Sequence, residues 1–378
     1  MRPLALALFW GSAAVIAYAY LGYPLLLALL GRFLRPRHTD DVTPAVDVVI
    51  AAYNEAGCIE AKLENTLALD YPADRLRIWV VTDGSTDATP DLVQRYAPRE
   101  VTLLHRPERQ GKAAALARAL PHLVGEAILF TDANCSLPPH ALRRMARHLA
   151  DPQVGGVSGA KRVARAGSSE GENLYWRYEG WLKALDARLG SVMGAPGEVW
   201  LARRAAYRPP PPDILLDDFY ASIEMAARGW RVAYEPDAWS LEPASPDLGA
   251  EWQRRVRNAA GGWQAVLRLR AVWRGGARLV FQYLSHRVLR WVAAPLLLPL
   301  LLLANLLLLP HPVYTLLLAA QGLFYAAALA GWALARQGRR AGWLAAPLAV
   351  VMLNAAALAG GWRYLRGQHT VLWPKVRP

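Results

Sequence analysis

Acidic residues and asparagines end three apolar runs in the first third of the chain. The runs are Val48-Val49-Ile50-Ala51-Ala52-Tyr53-Asn54-Glu55, Ile78-Trp79-Val80-Val81-Thr82-Asp83 and Ala127-Ile128-Leu129-Phe130-Thr131-Asp132-Ala133-Asn134. As neighbouring parallel strands they bring these polar ends to the carboxyl edge of one sheet, where open α/β sheets bind ligands. Oxygen donors gathered there fit a nucleotide and a divalent cation. Asp132 and Asn134 are alternate residues on an extended end and point the same way, so they can share one ion. Alone, that triplet reads as an ordinary turn. Asp83 precedes Gly84-Ser85-Thr86-Asp87, a tight-turn sequence that lets a planar base lie against the strand with Asp83 accepting its N–H. Asp87 reads equally as part of that site or as the cap of the next helix. Lys112 follows Gly111 at a helix start, where a cation opposes the helix dipole, so it reads as a phosphate holder. The pattern is not a P-loop, because Ala113 follows the lysine.

Two further groups lie downstream. Asp217-Asp218 follows four prolines and Ile214-Leu215-Leu216. Adjacent carboxylates repel, one can have a raised pKa, and a carboxylate so tuned can take a proton from an attacking hydroxyl. The pair also reads as the N-cap of a helix over 219–222. Trp252-Gln253-Arg254-Arg255-Val256-Arg257 leads into Gly261-Gly262-Trp263. Its arginines can clamp a diphosphate bidentately or form a solvated basic face. Cys58 and Cys135 have no metal-ligand spacing, and Cys135 reads as a small filler beside the site.

These groups need a scaffold, and strand signals alternate with helix signals to provide it. Strands are expected near 46–52, 77–82, 101–104, 126–131 and 154–159, with helices near 59–69, 89–96, 112–120 and 139–149. That order predicts a mostly parallel sheet covered by helices. The chain of 378 residues is 54% hydrophobic, too apolar for a water-soluble domain of this size. The excess lies in residues 3–31, 291–310, 312–335 and 343–362, which carry no charge and are long enough to cross a bilayer. The first is too long for the apolar region of a cleaved signal peptide. The net charge of +13 includes Arg32, Arg35, Arg37 and His38 after the first run and Arg336, Arg339 and Arg340 between the last two. Basic loops stay cytoplasmic, which puts the central domain in the cytosol and accounts for the charge without nucleic acid. Four full crossings would then leave Arg363, Arg366, Lys375 and Arg377 on the far side, against that rule, unless one apolar segment is re-entrant or interfacial. The basic and aromatic stretch 285–291 reads as an interfacial turn that seats the domain on the bilayer.

Taken together, the set resembles the family 2 membrane glycosyltransferases, which include cellulose, chitin, hyaluronan and poly-N-acetylglucosamine synthases. The resemblance covers nearly the whole chain. It implies an α/β cytosolic domain of the Rossmann-like GT-A fold with N- and C-terminal transmembrane helices, a nucleotide-sugar donor, and Mg²⁺ or Mn²⁺. It implies a membrane helix over 1–35, the GT-A domain over 40–270, an interfacial amphipathic segment over 271–290 and about three spans over 291–378. By motif, Ala52, Tyr53, Glu55 and Asp83 would bind uracil and ribose, and Lys112 would lie near the diphosphate. Asp132 and Asn134 would stand at the D-x-D metal motif, with Asp132 also beside the nucleotide. Asp218 would be the general base of the T-E-D motif, with Asp217 at the Glu position. Gly194, Gly197 and Glu198 would line the acceptor. Arg257 would be the arginine of Q-x-x-R-W.

The departures are Asn134 for the last metal-motif Asp, Arg254 for the Gln and Asn258 for the Trp. In the synthases that Trp stacks on the acceptor sugar, so its loss bears on processivity more than on transfer; Trp252, Trp263 and Trp291 are the candidates to stand in. Arg287-Val288-Leu289-Arg290-Trp291 has the Arg-Trp pair but reads as too near the membrane and too far from Asp218. The expected activity is inverting transfer from a nucleotide sugar, with UDP-sugars implied, to a glycan or lipid-linked acceptor at the inner (plasma) membrane. Single addition to a lipid-linked sugar and a catalytically silent sugar-nucleotide-binding subunit are the alternatives. The sequence names no partner subunit.

Overall fold

The computed structural model describes residues 2–34, 39–164 and 170–372. Arg35, Arg37, His38, Lys375 and Arg377 lie outside them. The chain opens with a long apolar helix, α1 (Arg2–Gly31). Then come β1 (Val46–Ala52), α2 (Ile59–Leu67), β2 (Leu76–Asp83), α3 (Thr89–Gln94), β3 (Val101–Arg106), α4 (Lys112–Ala119), β4 (Ala127–Asp132), α5 (Ala141–Ala146) and β5 (Val154–Val163). These match the expected strands and helices to within a few residues. Next are α6 (Glu170–Leu189), β6 (Trp200–Arg203), α7 (Asp217–Ala227), β7 (Arg231–Glu242) and α8 (Leu248–Arg268). Three more apolar helices close the chain: α9 (Gly276–Leu307), α10 (Pro312–Arg336) and α11 (Gly342–Leu365). Among the described residues they make, with α1, four helices long and apolar enough to cross a membrane.

The strands form one mixed sheet in the order β3-β2-β1-β4-β6-β5-β7. β1 runs parallel to both β2 and β4, with Ala52 opposite Thr82 and Ala51 opposite Asp132. Among the described residues, β6 is the strand that opposes its neighbours. The carboxyl ends of β1, β2 and β4 therefore meet at one edge, as the three apolar-to-polar runs require. Helices cover both faces, so the central strands are apolar on both sides. Val46, Val48 and Ile50 face a core with Ile59, Leu63, Leu142 and Met145. Val49, Val81 and Ile128 face a second core with Leu116, Trp200 and Phe219.

Asp47 breaks the apolar run of β1 and is fully buried. Its carboxylate accepts the N–H groups of Val124 (2.9 Å) and Gly125 (2.6 Å) and the indole N–H of Trp79 (3.0 Å). A side chain at Gly125 would meet that carboxylate at 2.8 Å. Asp47 thus fixes the turn that feeds β4, the strand that carries Asp132.

The membrane-level part differs from expectation in two ways. Residues 285–291 do not form a separate interfacial turn. They belong to the continuous helix α9, and Ser285, His286, Arg287 and Arg290 are buried. Their partners are acidic groups of α6: Arg287 and Arg290 pair with Glu179, and His286 lies 2.5 Å from Asp186. The second difference is at the chain end. Gly360 of α11 sits against Val256 and Ala259 of α8, Gly361 against Trp263, and Val371 beside Gly111. Arg363 thereby follows a stretch packed on α8, which accords with the alternative that one apolar segment is re-entrant or interfacial.

Asp47→Ala should lower unfolding stability by about 2–4 kcal/mol, because three donors, one of them buried, lose a charged acceptor. Thermal unfolding in detergent, followed by near-UV circular dichroism, checks this; an unchanged midpoint would remove the role given to Asp47.

Candidate active site

Each strand end delivers its group by a local device. At β1, Tyr53 carries the Arg109 guanidinium over its ring at 3.6 Å. Asn54 takes the left-handed conformation (φ 55°) and its Oδ1 accepts from the Thr86 N–H at 2.8 Å. Glu55 donates its backbone N–H to the Thr89 hydroxyl (2.8 Å). The loops after β1 and β2 are thereby stitched together.

Asp83 is buried at the end of β2. Its carboxylate accepts the N–H groups of Gln110 (3.0 Å) and Gly111 (2.6 Å). Its visible work is to hold the 109–111 turn under the strand end, and that turn presents Lys112. Gly84 (φ +71°) is required there, since a Cβ would reach Arg109 backbone at 2.9 Å. Asp87 accepts from the Thr89 N–H (3.0 Å) and the Ala56 N–H (3.1 Å), tying the loop after β1 to the start of α3, whose N-cap position is Ala88.

Lys112, the first residue of α4, pairs with Asp132 at 2.6 Å. Burial alone would lower the pKa of its ammonium. Asp132, Asp217 and Asp218 outweigh that and raise it. The lysine is therefore a fixed cation at the metal-motif aspartate. Asn134 stands beside Asp132, and its Oδ1 is buried with no hydrogen-bond partner among the described residues. The carboxylates of Asp132, Glu198 and Glu242 offer ligand atoms within 4.8 Å of one another. Glu198 and Glu242 also share Lys161, which is 2.9 Å from Glu242. Burial and the charge of Glu198 push Glu242 up to about 7, while Lys161 opposes them. An orphaned amide oxygen beside clustered carboxylates is a hard-oxygen donor set, which fits Mg²⁺ or Mn²⁺.

Asp217 and Asp218 open α7. Asp218 Oδ1 accepts the N–H of Phe219 at 2.7 Å. Burial and then the charge of Asp217 push Asp218 up to about 7, against the pull of Lys112. The 194–198 loop packs directly on this pair. Gly194 (φ +102°) leaves room for the Phe219 ring. A Cβ on Gly197 would lie 2.8 Å from Lys112 Nζ and 3.0 Å from Asp218 Oδ2. Glu198, expected as an acceptor-lining group, is tied to Lys161. On α8, Arg255 pairs with Glu251 (2.5 Å), while Arg254, Arg257 and Asn258 line the cavity. Arg257 lies within the electrostatic reach of Asp217, Asp132 and Asp218.

All the expected site residues line one cavity of about 1080 Å³. The same cavity reaches Tyr20 of α1, Trp291 of α9 and Asn354 of α11. The placement of Arg287 and Trp291 corrects the expectation that they lie far from Asp218. Trp291 packs on Phe219 with ring centroids 4.9 Å apart, and Arg287 lies over Trp291 at 4.9 Å. Helix α9 returns to the domain, which sequence distance conceals. Lys161, Glu179, Lys183 and Glu242 also line the cavity and went unread. Glu242 carried a readable signal, because Trp239-Ser240-Leu241-Glu242 ends a strand on an acid as the other three runs do.

Residues 47–208 match the family model described as glycosyl transferase family 2. The chain is 31% identical over 238 residues to beta-monoglucosyldiacylglycerol synthase of Synechocystis sp., covering 59% of this chain and 49% of that protein. It is 29% identical over 244 residues to poly-beta-1,6-N-acetyl-D-glucosamine synthase of Staphylococcus aureus, covering 62% and 58%. The chain thus spans about half the length of these curated relatives. Among solved structures, the mannosyltransferase PcManGT from Pyrobaculum calidifontis, in complex with GDP-Man and Mn²⁺, is similar with a TM-score of 0.72. Its identity is 28%, with 95% of this chain and 99% of that one covered. Residues 47–208 thus match glycosyl transferase family 2, and they lie on a mixed α/β sheet similar to that of the solved mannosyltransferase.

Proposed function

We propose that the enzyme transfers a sugar, with inversion, from a nucleotide sugar to a lipid-linked acceptor at the inner (plasma) membrane. The observation that carries this reading is the single cavity lined both by Asp83, Asp132, Asp218 and Arg257 and by Tyr20, Trp291 and Asn354 of the membrane-level helices. A water-soluble acceptor would not need a cavity that reaches those helices. Processive synthesis is the second reading. The similarity to poly-beta-1,6-N-acetyl-D-glucosamine synthase favours it, and Asn258 in place of the family tryptophan weighs against it.

In the proposed reaction, Ala52, Tyr53, Glu55 and the Asp83-held turn bind base and ribose. Lys112 and Arg257 face the diphosphate. Asp132 and Asn134, with Glu198 and Glu242 nearby, would hold the divalent ion, which when bound supplies positive charge to the diphosphate oxygens. Gly194 and Gly197 shape the acceptor side of the loop. Asp218 takes the proton of the acceptor hydroxyl, and the oxygen bonds to the anomeric carbon from the face opposite the nucleotide. The bond from that carbon to the diphosphate oxygen breaks, and its electron pair leaves with the nucleoside diphosphate. Asp217 tunes Asp218 by like-charge repulsion. The resemblance favours UDP-sugars, and the relative bound to GDP-Man makes that donor the comparison to run.

We also infer the path through the membrane. The chain leaves the α/β part at Gly276 and returns to it at Arg363, so an even number of crossings joins them. α11 packs along α8 and is the most buried of the four apolar helices. α1, α9 and α10 cross, and α11 lies at the cytosolic interface. This keeps Arg336, Arg339, Arg340, Arg363 and Arg366 all on the cytosolic side, as the positive-inside rule asks.

Asp218→Asn should keep nucleotide binding and lose turnover by about 10²–10⁴-fold; retained turnover removes the base assignment. A base must be deprotonated, so nucleotide release in the native enzyme should rise with pH through a midpoint near 7 and level off above it. A flat profile between pH 6 and 8 would contradict this. Chelation with EDTA should abolish release, and Mn²⁺ or Mg²⁺ should restore it, whereas full activity in chelator would exclude the metal role. A fluorescent protein fused at the C-terminus should fluoresce, as it does in the cytosol; a dark, exported fusion would show that α11 crosses.

A further inference from the structure

We infer that Lys183 is an anion subsite for the phosphate of the lipid acceptor. This rests on the reading above and names the chemical class of its acceptor, a phosphate-bearing lipid rather than a neutral one.

Helix α6 turns Tyr175, Glu179 and Lys183 toward the cavity at four-residue spacing. Glu179 is buried, and its carboxylate is fully engaged. Oε1 meets Arg287 at 2.7 Å and His286 at 3.2 Å, and Oε2 meets Arg290 at 3.1 Å. Lys183, one turn on, is only 6% exposed. Its ammonium makes no hydrogen bond or ion pair among the described residues, yet it lines the cavity. The charged groups facing it are Glu179 of its own helix, Arg287 of α9, Glu198 of the loop before β6 and Asp218 of α7.

The other lysines on the cavity wall are neutralised in place. Lys112 has Asp132, and Lys161 has Glu198 and Glu242. Lys183 has no such partner. Burial brings its pKa down to about 8, so it remains mostly charged at neutral pH. A buried cation whose facing acids make no hydrogen bond or ion pair with it is disfavoured unless a ligand brings one. The donor diphosphate already has Lys112 and Arg257 around Asp132. Lys183 stands with Arg287, whose guanidinium lies over Trp291 and Phe219, the residue next to Asp218. That position is on the side of the base that activates the acceptor hydroxyl. Tyr20 and Asn354, hydrogen-bonded at 3.2 Å, line the same cavity at the level of the apolar helices, where lipid chains would enter. A lipid phosphate close to the attacking hydroxyl satisfies both features.

The test uses the full chain in detergent. Native mass spectrometry compares retention of a polyprenyl monophosphate and of dioleoylglycerol at equal concentration, and calorimetry measures UDP and GDP binding with Mn²⁺. The native protein should prefer the phosphate lipid by about tenfold or more, as expected for a charged hydrogen bond. Lys183→Met should lose that preference, Lys183→Arg should keep it, and nucleotide affinity should stay the same in both. Lys183→Met should also melt no lower than the native protein, because it removes an uncompensated buried charge; a purely structural lysine would lower the midpoint. Equal retention of the two lipids by the native protein overturns the proposal. So does a loss of nucleotide affinity in Lys183→Met with the lipid preference intact, which would assign the lysine to the donor diphosphate. Failure of the native protein to bind either nucleotide would overturn the functional reading, while the lipid comparison would still decide this one.

Discussion

Five carboxylates, those of Asp132, Glu198, Asp217, Asp218 and Glu242, converge on the cavity at one edge of a sheet, and the rest of the structure depends on holding them there. In a desolvated pocket like charges repel far more strongly than in water. The fold answers with cations from separate elements. Lys112 comes from the start of α4, Lys161 from the end of β5 and Arg257 from α8. Burial, and then the residual repulsion, push Asp218 and Glu242 both up to about 7. A general base needs such a pKa, so the crowding that strains the site also tunes it. The sheet order makes the crowding possible, because parallel strands in register deliver their last residues to the same edge.

A second buried charge ties the site to the membrane helices. Asp186 of α6 is fully buried and accepts from the Tyr23 hydroxyl of α1 at 2.5 Å and from Gln282 of α9 at 3.0 Å. It also lies 2.5 Å from His286 of α9. One carboxylate thus joins the first and second apolar helices to the globular part. About two turns back, Glu179 pairs with Arg287 and Arg290 of α9. The register of α9 against the domain is set by these pairs, and with it the position of Trp291 in the cavity. Breaking a buried pair costs more than a surface pair could, so the two acids give the junction a single arrangement.

Much of the site was legible in the sequence because its geometry is local. Three strands that run from apolar to acidic put Ala52, Asp83 and Asp132 at one edge, and the structure has them there. Asp87 read equally as a cap, and it sits one residue before the N-cap Ala88 and binds the loop after β1 through the Ala56 N–H. Other features were hidden by sequence distance. Arg287 and Arg290 looked like bilayer-facing groups because their partner, Glu179, lies more than a hundred residues upstream. Asp83 looked free to read a base, but the turn at 109–111 that occupies its carboxylate cannot be foreseen from β2. Lys183 sits in an unremarkable helical stretch, and its burial without a partner exists only once α6, α7 and α9 are packed.

The identity of the product decides whether Asp218 drives transfer to a lipid-linked acceptor. Membranes containing the enzyme, given Mn²⁺ and isotopically labelled UDP-sugars and GDP-mannose, should yield a labelled lipid carrying one sugar. Its anomeric configuration, read by proton NMR, should be opposite to that of the donor. A product with retained configuration, or label released only as free sugar, would contradict transfer by Asp218-assisted attack on a lipid-linked acceptor.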